Sequence, residues 1–251
     1  MSNIVEVRVL SRAPPQHNVG VPITTMQDAG YVKNAFAGIA KRYMLANHVL
    51  SLGIDVLWRR KTSALVAEAQ PKLILDLATG SGDLARELQR QCPEAKVLGA
   101  DFSLPMMREA QARRFNQLVA ADGMNLPFQN SAFDALTVAF GLRNMASWPA
   151  ALMEMSRVLK TGGRLYVLDF SLPTLPLIRP LYLFYLKKIM PRIAGWITGE
   201  RAAYEYLCSS VERFPSGKAM EKMILGNGFD RVQSHRLSFG IASLYIGIKA
   251  I

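Results

Sequence analysis

The sequence predicts an α/β fold with a mostly parallel sheet, and three observations predict it. Strand-like apolar runs, "KLILDL", "AKVLGAD", "QLVAAD", "FDALTVAF" and "GRLYVLDF", alternate with helical patterns such as "LARELQRQ", "SLPMMREAQARRF" and "SWPAALMEMSRVLK". Such alternation is the pattern of βαβ units, in which each crossover helix carries the chain back to start a parallel strand. The first of these strands runs directly into a glycine-rich turn, "DLATGSGD", and turns of that kind between strand and helix hold nucleotides in open α/β sheets. Finally, two β-rich runs in "FDRVQSHRLSFGIASLYIGIKA" are joined through Ser238 and Gly240, too closely for a crossover helix, so they pair antiparallel. The expected architecture is a Rossmann-like sheet of seven strands finished by an antiparallel edge hairpin.

Each element follows from local chemistry. The first 25 residues, rich in arginine and proline and without an apolar run of signal-peptide length, read as a loose extension. Residues 26–251 form one domain, because 251 residues, half of them hydrophobic, bury a single sizeable core. Residues 26–70 read as helices joined near Ser51 and Gly53 that cover the sheet. Ser103 with Pro105, and Ser147 with Pro149, mark helix starts, while Gly162 and Gly163 stop a helix ending at Lys160. Residues 172–214 interrupt the alternation and form an insertion facing substrate or membrane. Cys92 and Cys208 lie far apart and only three histidines exist, so neither a disulfide scaffold nor a metal site is expected, and a reduced cytosolic setting fits. The formal charge of +11 favours an anionic partner, either nucleic acid or an acidic membrane surface.

The ligand of the glycine turn is chosen by charge. Gly80, Gly82 and Ala85 satisfy the dinucleotide pattern with one slack position, yet a dinucleotide sets a pyrophosphate on the helix N-terminus, where carboxylates repel it. Asp76 ends the strand and Asp83 opens the helix, which suits a ligand carrying an ammonium and a sulfonium, such as adenosylmethionine. Gly80 and Gly82 let the backbone approach that ligand. Asp101, nineteen positions after Gly82 at the end of the second strand, accepts from ribose hydroxyls, as the equivalent acid does in dehydrogenases too. Asp122 and Gly123, in "AADGMNLPF", end the third strand, where a carboxylate takes an adenine amino group and a small residue leaves room for the ring. Any one of these aspartates could simply cap a turn. Three in register after three successive strands argue for a nucleoside site.

In this order "DLATGSGD", "GADFSLPMM", "LPFQNSAFD", "FGLRN", "SRVLKTGGRLYVLDFSLP" and "YEYLCSSVERFPSG" resemble the C-methyltransferase family of ubiquinone and menaquinone biosynthesis. The resemblance runs from about Tyr31 to Lys249 and implies a class I adenosylmethionine-dependent methyltransferase that methylates a ring carbon of a polyprenylated quinol. It implies cofactor contacts at Ser81, Asp101, Asp122 and Gly123, and a further one in "TVAFGLRN", where Ala139 stands in place of the family's frequent serine. Tyr43 is followed by Met44 where the family usually has aspartate. These two departures motivate one competing reading, a non-catalytic scaffold.

Methylating an aromatic carbon requires electron density there, so the neighbouring quinol hydroxyl must move toward phenolate. Arg143, at the end of the fourth strand, is the expected stabilising cation, and Asn144 the group that fixes the quinol oxygen. Arg143 could instead tie its loop to a neighbouring carboxylate. Tyr43 and Asn47 on the cover, with Tyr204 before a later helix, are candidate pocket residues. Pro176 to Gly199 holds bulky apolar residues flanked by Arg179, Lys187, Lys188 and Arg192. Spanning needs roughly 20 apolar residues, and prolines and four basic groups break this run, so an interfacial or substrate-covering helix is expected. The expected partners are a polyprenylated quinol and an anionic membrane at its inner face, with a homodimer left open. A second competing reading is methylation of RNA or another small molecule. The chain lacks an added RNA-binding module and the Asn/Asp-Pro-Pro-aromatic motif of amino-directed enzymes, which argues against nucleic acid.

Overall fold

Seven strands form one sheet in the order β3-β2-β1-β4-β5-β7-β6 in a computed structural model of the chain, which describes residues 51, 53–190, 192 and 208–250. The strands are β1 (Leu73–Leu77), β2 (Lys96–Asp101), β3 (Leu118–Ala120), β4 (Phe133–Ala139), β5 (Leu159–Phe170), β6 (Phe229–Leu237) and β7 (Ala242–Lys249). The first five run parallel, and β7 is antiparallel to both β5 and β6. The expected parallel sheet with an antiparallel edge hairpin is the fold observed. The extension over residues 1–25, the start of the helical cover with Tyr43, Met44 and Asn47, and Tyr204 lie outside the described residues.

Helices cover both faces because the central strands are apolar on both. On one side Ile74, Val97, Ala135, Tyr166 and Leu168 pack under α1 (Asp55–Ala67), α2 (Asp83–Gln91) and α3 (Leu104–Ala112), through Trp58, Val66, Leu88 and Met107. On the other, Leu75, Leu77, Leu136, Val138, Leu165 and Val167 meet Leu152 and Met155 of α4 (Trp148–Val158) and Met220 and Ile224 of α6 (Lys218–Leu225). Adjacent residues of one strand thus feed different layers, as the two-residue period of a strand requires. Each such side chain contributes on the order of 2 kcal/mol by burial.

One local expectation is corrected. Helix α4 ends at Val158, not Lys160, and Leu159 already opens β5 opposite Phe133. Pairing resumes only at Ala135 with Arg164, so Lys160 to Gly163 bulge outward, with Gly162 at φ 73°. The glycines therefore shape a strand bulge and do not cap a helix. Both expected helix starts are observed: Ser147 caps α4, its hydroxyl accepting from Ala150 N at 3.3 Å, and Ser103 precedes α3, there without a side-chain hydrogen bond.

In the insertion, α5 (Ile178–Phe184) passes into a π-helical turn, Tyr185–Ile189. Tyr182, Leu186 and Met190 are all buried at a spacing of four. In a pure α-helix two such steps swing the face by about 80°, and the wider π turn absorbs this drift. A helical stretch over 208–213 lies against it, with Cys208 Sγ donating to Leu186 O at 2.9 Å and Lys187 paired to Glu212 at 2.9 Å. Among the described residues no helix is long and apolar enough to cross a membrane.

Candidate active site

Because β1 is flanked by β2 on one side and β4 on the other, successive crossovers diverge here, and a crevice opens beyond the carboxyl ends of these strands. The backbone at that crevice is unusual. Ala78, Gly80, Gly82 and Phe140 all have positive φ, from 53° to 76°. Two are not glycines, and left-handed backbone at Ala78 and Phe140 costs on the order of 1 kcal/mol each, a strain that clusters at functional sites. Gly141 is demanded by crowding, since a Cβ there would lie 2.4 Å from Ala78 Cβ, where the ends of β1 and β4 meet.

Asp76 lies beneath the turn, 1% exposed, and both its oxygens accept hydroxyls, Oδ2 from Thr79 at 2.7 Å and Oδ1 from Thr137 at 2.6 Å. Burial pushes its pKa up to about 6, against the hydrogen bonds from Thr137 and Thr79 and the charge of Arg59. Asp101 ends β2 and is also buried. Its Oδ2 accepts Gly80 N and its Oδ1 accepts Ser103 N, both at 2.7 Å, which ties the glycine turn to the tip of the second strand. Burial raises its pKa despite those backbone donors. Each carboxylate oxygen has further lone-pair capacity, so the ribose hydroxyls of a nucleoside could still donate to Asp101.

Asp83 differs from the sequence-based expectation of a carboxylate presented to the ligand. It accepts from Ser81 Oγ at 2.7 Å and pairs with Arg86 at 3.1 Å and Arg113 at 2.9 Å. Burial pushes its pKa up, but Arg59, the Ser81 hydroxyl, Arg113 and Arg86 outweigh it and hold the group below the usual range. Asp76 and Asp101, by contrast, accept only from hydroxyl and backbone donors among the described residues. Gly82, at φ 76°, turns the chain into α2.

Asp122 follows β3, its Oδ1 accepting Met124 N at 2.9 Å while Asp122 bridges Asn125. Gly123 is packed, and a Cβ there would lie 2.9 Å from Met145 Cε. Ala139 ends β4, half-buried and without a hydroxyl. Beside Asp101, Phe102 is 54% exposed, an aromatic face that sequence reasoning overlooked.

Arg143 lies in a short 3₁₀ turn, Leu142–Asn144, and is fully buried. Its Nη1 donates to Phe140 O at 2.7 Å and to Asp169 Oδ1 at 2.6 Å, and its guanidinium stands 5.4 Å from the centre of the Phe170 ring. Burial raises the pKa of Asp169 against the pull of Arg143. Asn144 Nδ2 donates to Phe140 O at 3.4 Å, and Trp148 Nε1 to Arg143 O at 3.4 Å. Asp169, the partner of Arg143, was visible only as part of "VLDF", since the sequence carries no sign that positions 143 and 169 meet. Arg59, in "LWRR", was likewise missed. It pairs with Asp55 and lies 5.1 Å over the Phe140 ring, near the acids of the turn.

The ubiE/COQ5 methyltransferase family matches residues 24–249. A demethylmenaquinone methyltransferase of Thermus thermophilus is 45% identical over 217 residues, covering 84% of this chain and 98% of that protein. One of Deinococcus radiodurans is 39% identical, covering 91% and 97%. A ubiquinone/menaquinone biosynthesis C-methyltransferase of a Geobacter species is 38% identical, covering 87% and 96%. Among solved structures, an adenosylmethionine-dependent methyltransferase of Thermotoga maritima shares the fold with a TM-score of 0.60 at 17% identity, over 87% of this chain and 99% of that one. The match spans the glycine turn, the crevice and the edge hairpin alike, and the chain belongs to the ubiE/COQ5 methyltransferase family.

Proposed function

We propose that this chain methylates a ring carbon of a polyprenylated quinol of the demethylmenaquinol type, using S-adenosyl-L-methionine. The observation that carries the reading is the set of carboxylates, Asp76, Asp101 and Asp122, at the ends of three adjacent strands around one glycine turn, in a chain whose relatives are demethylmenaquinone methyltransferases. When bound, the cofactor supplies an electrophilic sulfonium methyl. The chain's own part is to hold it and to raise electron density on the acceptor. Asp101 takes the ribose hydroxyls, Gly80, Ser81 and Gly82 line the turn, and Asp76 balances the cofactor's positive charge from below. Asp122 and Gly123 bound the adenine, Ala139 offers backbone contact only, and Phe102 stacks on the base.

On the acceptor side, Arg143 stabilises the phenolate that develops on the quinol oxygen, and Asn144 orients it. The Arg143 to Asp169 pair tempers this role, because part of the guanidinium charge is already met. Tyr43, Asn47 and Tyr204 remain pocket candidates from the sequence. Exposed Leu177, Leu181 and Phe184 beside exposed Arg179, Lys187 and Lys188 support peripheral contact of the insertion with an anionic membrane, where a prenylated substrate resides.

Calorimetry with the cofactor, followed by methyl transfer to demethylmenaquinol, tests the reading. Binding with turnover supports it, and binding without turnover favours the scaffold. Asp101→Ala is expected to weaken cofactor binding at least about 100-fold, the loss of a buried charge-assisted contact, and unchanged affinity would refute the assignment.

A further inference from the structure

The Tyr182 hydroxyl and Asp169 Oδ2 are buried polar atoms with no hydrogen-bond partner among the described residues. Native interiors rarely leave such atoms bare, and where they do, a functional contact is one physical reason. Both belong to one neighbourhood. Asp169 is paired with Arg143, and Tyr182 lies within electrostatic reach of that same guanidinium. Phe170, under the Arg143 guanidinium, packs in the same apolar cluster as Tyr182, Leu186 and Trp58. The π turn after α5 keeps Tyr182 on the inward face together with Leu186 and Met190.

We propose that Tyr182 is an acceptor-binding residue, its hydroxyl donating to the oxygen of an aromatic alcohol seated beside the Arg143 to Asp169 pair. This rests on the function proposed above, and it adds a residue from the insertion to a site otherwise built from strand ends. Burial, above all, pushes the Tyr182 phenol well above its ordinary pKa, so the group stays protonated and acts as a donor, not as a base. An oxygen moving toward phenolate is a strong acceptor for it. The apolar neighbours then suit the ring of the quinol, and the exposed outer face of α5 suits its lipid surroundings.

Tyr182→Phe, compared with the wild type, tests this. The variant is expected to melt at the same temperature or higher, because an unmatched buried hydroxyl is removed. Cofactor affinity is expected to stay within about twofold, while kcat/KM for demethylmenaquinol falls at least about tenfold, the scale of one hydrogen bond to a charged oxygen. A second arm uses naphthol as a non-reacting probe, followed by its fluorescence, and its affinity is expected to fall several-fold. Wild-type kcat/KM, an equal naphthol affinity, or a clearly lowered melting temperature, which would make the hydroxyl a structural one, each overturns the proposal. If the wild type fails to methylate demethylmenaquinol while naphthol binding still depends on Tyr182, the proposed function fails and the acceptor site stands.

Discussion

Asp76 carries the most telling single charge of the crevice. Its pKa is raised from 3.8 to about 6 by burial, so the folded state binds a proton more readily than the unfolded chain. A raised carboxyl contributes stability below its unfolded pKa and loses that contribution as pH climbs through about 6, on the order of 3 kcal/mol in the free protein. A bound cation reverses the preference. Cofactor affinity is therefore expected to fall as pH drops below about 6, approaching tenfold per pH unit, and Asp76→Asn should flatten this profile in calorimetry between pH 5 and 8. Arg143 is a different case, since it is buried against Asp169. Removing it leaves an unpaired buried carboxylate, so Arg143→Ala is expected to cost about 3–5 kcal/mol in urea unfolding. A loss below about 1 kcal/mol would argue against the ion pair as drawn.

At the scale of elements, the crevice depends on how closely β1 and β4 approach at their carboxyl ends. Gly141 sits where a methyl group would meet Ala78 at 2.4 Å, and both neighbours are backbone-constrained. Gly141→Ala is expected to push the strand ends apart, lowering stability by on the order of 2 kcal/mol and weakening cofactor binding together. Thermal melting and calorimetry on the one variant check both, and a loss of stability with intact cofactor affinity would separate the strand contact from the cofactor site. The insertion illustrates a different constraint. Its helix buries residues at a spacing of four, a pattern that drifts around an α-helix by about 40° per step, and the π turn reduces that drift.

For the whole molecule, the insertion and the edge hairpin come together at one end. Arg236 Nη1 donates to Thr174 Oγ1 at 3.2 Å, and the hairpin tip presents Phe239, 74% exposed, near the start of the insertion. Together with Leu177, Leu181 and Phe184 and the neighbouring basic groups, this end has the chemistry of a peripheral membrane contact. Flotation with anionic vesicles is expected to carry the protein upward, less so at high salt, and Leu177→Asp with Leu181→Asp should leave it behind. Protein that stays wholly in solution with such vesicles would end the membrane reading.

From the sequence by itself, the alternation of apolar runs, the glycine turn and the short link at Ser238 determined the α/β class, the parallel direction of the central strands and the antiparallel edge, because these depend on local period and loop length. The acids Asp76, Asp101 and Asp122 were legible for the same reason, since strand ends in a parallel sheet fall on one edge. Only the tertiary structure decided which charges are spent. It withdrew Asp83 into contacts with Arg86 and Arg113, joined Arg143 to Asp169 across 26 positions, and turned Gly162 and Gly163 from a helix stop into a strand bulge. It also left the Tyr182 hydroxyl buried without a partner among the described residues. Burial and long-range pairing depend on what packs above each residue, and that is written in no stretch of adjacent residues.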